Sequence, residues 1–219
     1  MTKSLGLILV GLAGAALAVA CTMGNAQPVA DGGALKTIAA NSTDGLRPVK
    51  GAPKPSGKLE VASFACGCFW GVEDEFRKFP GVVATAVGYS GGHVKNPDYE
   101  MVCTDKTGHA ETVRLVFDPS KTSYEKLLRL FWDLHDPTIA NQAGPDIGTQ
   151  YRSVIFYHTE AEKQAAIKSR DALQKSGELH GGKIVTEIIP AQPFTLAEEY
   201  HQQYVEKGGV AYCHRRIGG

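Results

Sequence analysis

Apolar residues recur at two different spacings along this chain, and the order in which those spacings alternate narrows the folds open to it. Leu59 to Ala65 alternates with the period of a half-buried strand. Phe69, Val72, Phe76 and Phe79 fall at helical spacing, and Pro80-Gly81 stops the helix they imply. Val82 to Tyr89 is β-rich, and His109 to Phe117 alternates again up to Asp118-Pro119. Between them Ser90 to Gly108 reads as a loop rich in Gly, Asn and Pro. Thr122-x-x-Glu125 is a capping box that opens a helix to about His135, and Pro137 to Gly148 is loop. Tyr151 to Tyr157 reads as a strand, and Thr159-x-x-Glu162 caps a helix ending near Gly177. Ile184 to Ile189 is a short strand, and Thr195-x-x-Glu198 caps a last helix to about Lys207. The first six elements follow the split β-α-β order. The expected fold is therefore α+β, a ferredoxin-like split β-α-β core with a mixed sheet, an additional C-terminal helix and long coil.

Residues 1–57 stand outside that pattern. Leu5 to Ala20 is an unbroken run of apolar and small residues after a single Lys3, which reads as an export signal. Two cleavage sites compete. Leu17-Ala18-Val19-Ala20-Cys21 resembles a bacterial lipoprotein signal with Cys21 as the lipidated residue, whereas Gly24-Asn25-Ala26 is an ordinary small-x-small site. Residues 1–26 are thus expected to be a signal peptide and 27–57 a flexible linker, ending in the Pro- and Gly-rich stretch Arg47 to Gly57. The folded domain is expected over 58–219. The expected location is periplasmic, or lipid-anchored to a membrane, where disulfides can form.

Composition removes several classes of function. The chain has 219 residues with 23 Lys+Arg against 23 Asp+Glu, so its formal net charge is zero. A nucleic-acid binder normally carries a basic excess to neutralise phosphates, so none is expected as a partner. Hydrophobic residues at 43% exclude a disordered chain. The 5 cysteines are too few for a disulfide scaffold and odd in number, so at least one thiol is free, reactive or removed. Neither the histidines nor Cys66 and Cys68 have the spacing of a structural zinc site. A dithiol oxidoreductase would need a C-x-x-C pair, which the sequence lacks.

The candidates for chemistry are local. In Gly67-Cys68-Phe69-Trp70-Gly71, Cys68 follows a strand and precedes a helix, where free backbone N–H groups and the macrodipole favour a thiolate. Phe69 and Trp70 would give an apolar substrate a floor; the other reading is a buried cysteine beside core aromatics. Glu111, in Gly108-His109-Ala110-Glu111-Thr112-Val113, shares a strand face with Val113 and Leu115. A carboxyl on an apolar face is held protonated by desolvation and can serve as a general acid; the alternative is a strand-edge Glu paired with an Arg. Tyr99 and Tyr151 each offer a hydroxyl to a polar oxygen or serve the structure, and Asp146 anchors such a network or caps a turn. Cys213 lies on a Gly-flanked tail, from which a mobile thiol can reach an oxidised partner.

These residues together resemble a known family. GCFWG, YSGG, NPDYE, GHAE, HDPT, GTQYRS and EEYHQQY, in this order from about Leu59 to Cys213, are similar to the A-type peptide-methionine sulfoxide reductases. The resemblance implies that Cys68 attacks the sulfur of an S-epimer sulfoxide, free or protein-bound, and becomes a sulfenic acid. It implies that Phe69 and Trp70 hold the methyl group and that Glu111 is the proton donor. Tyr99 and Tyr151 would orient the oxygen with Asp146 in support. Cys213 would close a Cys68–Cys213 disulfide for a thioredoxin-type donor to reduce. No metal or organic cofactor is implied, and a monomer is expected. Two departures stand out: Cys66, where the family often carries a small residue and which is expected to be inert, and a tail without a second recycling cysteine. Cys103 is expected to be structural.

Overall fold

The structure, a computed structural model, describes residues 45–53, 57–211 and 213. The signal-like run, both cleavage sites and Cys21 lie outside the described residues. No described helix is long and apolar enough to cross a membrane.

Among the described residues, nine strands and four helices follow in chain order: β1 Arg47–Pro48, β2 Glu60–Cys66, α1 Phe69–Lys78, β3 Val82–Ser90, α2 Tyr99–Cys103 and β4 Ala110–Phe117. Then come α3 Tyr124–Asp133, β5 Gln142–Ala143, β6 Asp146–Ile147, a single 3₁₀ turn Thr149–Tyr151, β7 Ser153–Tyr157, α4 Glu160–Lys175, β8 Glu187–Pro190 and β9 Phe194–Leu196. The main sheet runs β1-β3-β4-β2-β7-β8, with β9 also on β3. β2, β3, β4 and β7 pair antiparallel, and β8 adds to β7 in parallel, so the sheet is mixed. β2-α1-β3 leaves a gap that β4 fills, which is the split β-α-β arrangement expected from the order of periods.

Alternation decides which face each side chain takes. Phe64, Val87, Val113, Leu115 and Ile155 point toward α1 and α3 and are fully buried. Phe64 is the centre of that layer: its ring lies 5.2 Å from Phe76 of α1 and 5.4 Å from Phe131 of α3. The opposite face buries a smaller cluster of Ala65, Ala110, Val154 and Phe156. Burial on both faces explains why β7 reads as a continuous apolar run.

Four sequence expectations are corrected. First, there is no last helix: Thr195, the expected cap, is a strand residue opposite Tyr89, and 199–208 form successive turns. Glu198 accepts from the Tyr99 backbone N–H at 2.8 Å and the Tyr89 hydroxyl at 2.9 Å instead of closing a capping box. The open edge of β3 offered backbone partners that a local capping motif could not match, and the Gln202 side chain fills the gap by bonding both the N–H and the C=O of Val87. Second, residues 45–53, read as linker, lie on the domain, with Arg47 and Pro48 opposite Thr85 and Ala84 on the same β3 edge. Third, the two long loops hold α2, capped by Asp98 accepting from Met101 N–H at 2.8 Å, and the β5–β6 hairpin; both are too short to show a period. Fourth, α3 is capped by Ser123 rather than Thr122.

Candidate active site

The strand-to-helix turn that presents Cys68 needs a glycine. Gly67 has φ +108°, and a Cβ there would stand 2.6 Å from the Cβ of Ala143, so neither backbone nor space admits a side chain. Cys68 is the N-cap of α1, and its carbonyl accepts the Val72 N–H at 3.3 Å. It is partly exposed, unlike Cys66 two residues before it, which is buried on the core face of β2.

The adjacent residue ties the acid to this turn. The backbone N–H of Phe69 donates to Glu111 Oε2 at 3.0 Å. Glu111 is opposite Tyr89 in the β3–β4 ladder and is 2% exposed, on the apolar face that alternation assigned to it. Burial pushes its carboxyl up to about 8, with a further push from the charge of Asp146 and only partial relief from the Phe69 N–H. At neutral pH Glu111 is therefore mostly a protonated acid.

The thiol does not follow expectation. The N–H groups of Trp70 and Gly71 at the helix start do lower its pKa, but burial and the neighbouring Glu111 outweigh them and hold it up at about 12. A helix terminus stabilises an anion by roughly 0.3–1 kcal/mol at exposed sites, less than desolvation removes here. In the free enzyme Cys68 rests as the thiol.

The other expected residues converge to different degrees. Tyr151 ends the 3₁₀ turn after the β5–β6 hairpin, and the charges of Glu111, Asp146 and Cys68 all act on its phenol, which burial holds above its ordinary value. Asp146 of β6 acts on both Cys68 and Glu111. Tyr99 opens α2, and its phenol, raised chiefly by burial, is hydrogen-bonded to Cys103 one turn later. Cys103, expected to be structural, is thus in the neighbourhood of the site. Phe69 is 1% exposed, whereas Trp70 is partly exposed.

Cys213 packs against the core, and its charge acts on Cys66 and on Lys78 at the far end of α1.

A cluster that sequence reading did not assign completes the site. Trp70 Nε1 donates to His201 Nδ1 at 2.9 Å, and the Trp70 ring stacks on Tyr204 with centroids 4.0 Å apart. His201 also lies 5.1 Å from Phe69 and 4.5 Å from Tyr99. Because an indole only donates, Nδ1 of His201 accepts and the ring is the neutral Nε2–H tautomer; burial lowers its pKa accordingly. Glu198, His201 and Tyr204 recur every three residues, which was the available signal, but it was absorbed into the expected amphipathic helix.

A thiol at a helix start beside a protonated carboxyl, walled by aromatics on a split β-α-β sheet, defines a thiol-dependent oxidoreductase. The family model for peptide methionine sulfoxide reductase matches residues 60–218, and the chain belongs to that family. It is similar to MsrA of Methanosarcina acetivorans, 59% identical over 155 residues that cover 71% of this chain and 82% of the relative. Reduced Mxr1 of Saccharomyces cerevisiae is similar in structure, with TM-score 0.67 and 34% identity over 75% of this chain and 94% of that one. Mxr1 in complex with Trx2 has TM-score 0.50 at 23% identity, covering 76% of this chain and 96% of that one. The chain is an oxidoreductase that reduces peptide methionine (S)-S-oxide.

Proposed function

We propose that reduction proceeds by direct attack of Cys68 on the sulfoxide sulfur, with Glu111 as the acid. The observation that carries this reading is the Phe69 N–H to Glu111 contact of 3.0 Å, which holds a protonated carboxyl beside the thiol. A sulfoxide oxygen is a poor leaving group until it is protonated. Glu111 supplies that proton, and the phenols of Tyr99 and Tyr151 orient the oxygen with Asp146 behind them. The Trp70 and Phe69 rings take the methyl group. As the oxygen is protonated the sulfur becomes electrophilic, and the Cys68 electron pair adds to it. The attack forms an S–S bond from Cys68 to the substrate sulfur, which still carries the protonated oxygen. That oxygen then passes as hydroxyl to the Cys68 sulfur as the substrate's S–O bond and the new S–S bond break. The substrate leaves as a thioether, Cys68 is left as a sulfenic acid, and the proton of the thiol restores Glu111.

A resting thiol suits this sequence. A charged carboxylate and a thiolate side by side in a low-dielectric site repel, so the two protons are held until substrate binds. Cys213 then attacks the sulfenic sulfur, water leaves, and a Cys68–Cys213 disulfide forms. Cys213 packs against the core, and its charge acts on Cys66, two residues before Cys68. A thioredoxin-type dithiol reduces the disulfide by exchange, in keeping with the complex of Mxr1 with Trx2. The test is a single-turnover reaction on each sulfoxide epimer with mass mapping of the product. One methionine formed per enzyme from the S epimer and a Cys68–Cys213 crosslink are expected; a crosslink that omits Cys68 would overturn the assignment.

A further inference from the structure

Two segments far apart in sequence meet on one buried guanidinium. Arg77, in the last turn of α1, has a side chain only 7% exposed. Its Nη1 donates to Thr85 Oγ1 at 3.0 Å and to the backbone carbonyl of Arg47 at 3.4 Å. Its Nη2 donates to the backbone carbonyl of Pro48 at 3.3 Å and pairs with the Glu206 carboxylate. Gln203 joins the same junction: its side chain donates to the Pro48 carbonyl at 3.2 Å, and its backbone N–H to buried Glu73 at 2.8 Å. Arg47 reaches across to Glu199 at 2.5 Å. Residues 47–48 precede the family-matched segment, which starts at 60.

This junction has a place in the chemistry. Residues 198–204 carry His201 and Tyr204 against Trp70, and Arg77 fastens the chain just beyond them, at Glu206. Cys213 lies past Gly208, with φ +96°, and past Gly209, which packs on the Tyr204 ring and donates its N–H to the Tyr204 carbonyl at 2.9 Å. A planar guanidinium fork is suited to hold two carbonyls and a carboxylate at once.

We propose that Arg77 is a positioning residue for this reduction. With the Arg47–Pro48 strap and Glu206 it latches residues 198–206 to α1, so the wall behind Trp70 stays in place while Cys213 travels to Cys68. The proposal rests on the reading of Trp70 as the substrate wall and Cys213 as the resolving thiol. Without the latch, movement of the tail would take His201 and Tyr204 with it.

The experiment compares full-length wild type with Glu206→Gln and Arg77→Lys. Three quantities are measured: kcat and KM for a methionine sulfoxide peptide, indole fluorescence, and the rate of Cys68–Cys213 closure after one stoichiometric turnover. Both variants are expected to raise KM about three- to tenfold, the scale of one ordinary hydrogen bond. The Trp70 emission should shift and disulfide closure should be unchanged or faster. An unchanged KM and emission, or closure that slows in step with reduction, would overturn the latch. Glu206 has a side chain 38% exposed and its variant decides the matter if Arg77→Lys does not fold. Wild-type protein that makes no Cys68–Cys213 crosslink would instead remove the reading on which the latch rests.

Discussion

Phe69 donates its backbone N–H to the carboxyl of Glu111 across 3.0 Å, joining the first residue of α1 to the start of β4. One hydrogen bond thereby fixes the distance between the helix that Cys68 caps and the Glu111 carboxyl. It also gives the carboxyl a donor that it keeps whether protonated or charged.

Replacing the acid should separate these roles. Glu111→Gln keeps an acceptor for Phe69 but has no proton to give, so single-turnover reduction should fall about a hundredfold or more. Wild-type reduction should decline as pH rises through about 8, where Glu111 loses its proton, and the variant should lack that limb. A stopped-flow pH profile of both proteins checks this.

The same residue sets a stability signature. The folded-state pKa of Glu111 is raised to about 8 from an ordinary value of 4.5, so the native state binds more protons than the unfolded one between those values. Stability from this group is full below about 4.5 and is lost progressively as pH rises to 8. Denaturant midpoints should therefore show Glu111→Gln gaining on wild type between pH 5 and pH 9. A difference that is flat with pH would show that Glu111 is not neutral in the native state.

On the proposed mechanism the two cysteines divide the cycle. Cys68→Ser should yield no methionine, because the hydroxyl is not a comparable nucleophile. Cys213→Ser should yield one equivalent per enzyme and then stop with a thioredoxin donor. Product counting by chromatography distinguishes these outcomes from continued cycling, which would assign resolution to another thiol.

Trp70→Phe keeps the ring but removes the donor to His201, leaving buried Nδ1 without its 2.9 Å partner. An orphaned buried acceptor costs about 1–3 kcal/mol. We expect kcat/KM to fall about tenfold with little change in the pH profile, measured with a peptide substrate.

Phe64 lies between α1 and α3 and is fully buried. Phe64→Ala should cost about 3–5 kcal/mol of stability, from lost transfer energy and the cavity left behind. Urea titration of the reduced protein measures it.

Much of this molecule is written locally. The order of the first six elements, the glycine before Cys68, the apolar face of Glu111 and the cap at Thr159 all follow from residues within a few positions of each other, where period, backbone freedom and short hydrogen bonds act. Tertiary structure decided what depends on distant partners. The Thr195-x-x-Glu198 box lost to the free edge of β3 because a ladder bond and two donors to Glu198 outweigh one cap. The strap at Arg47–Pro48 formed because Arg77 offered its carbonyls a buried cation. Cys68 rests as a thiol because burial and Glu111 outweigh the helix dipole. The imidazole of His201 became the support of Trp70 through a contact 131 positions away in sequence, which no periodicity can announce.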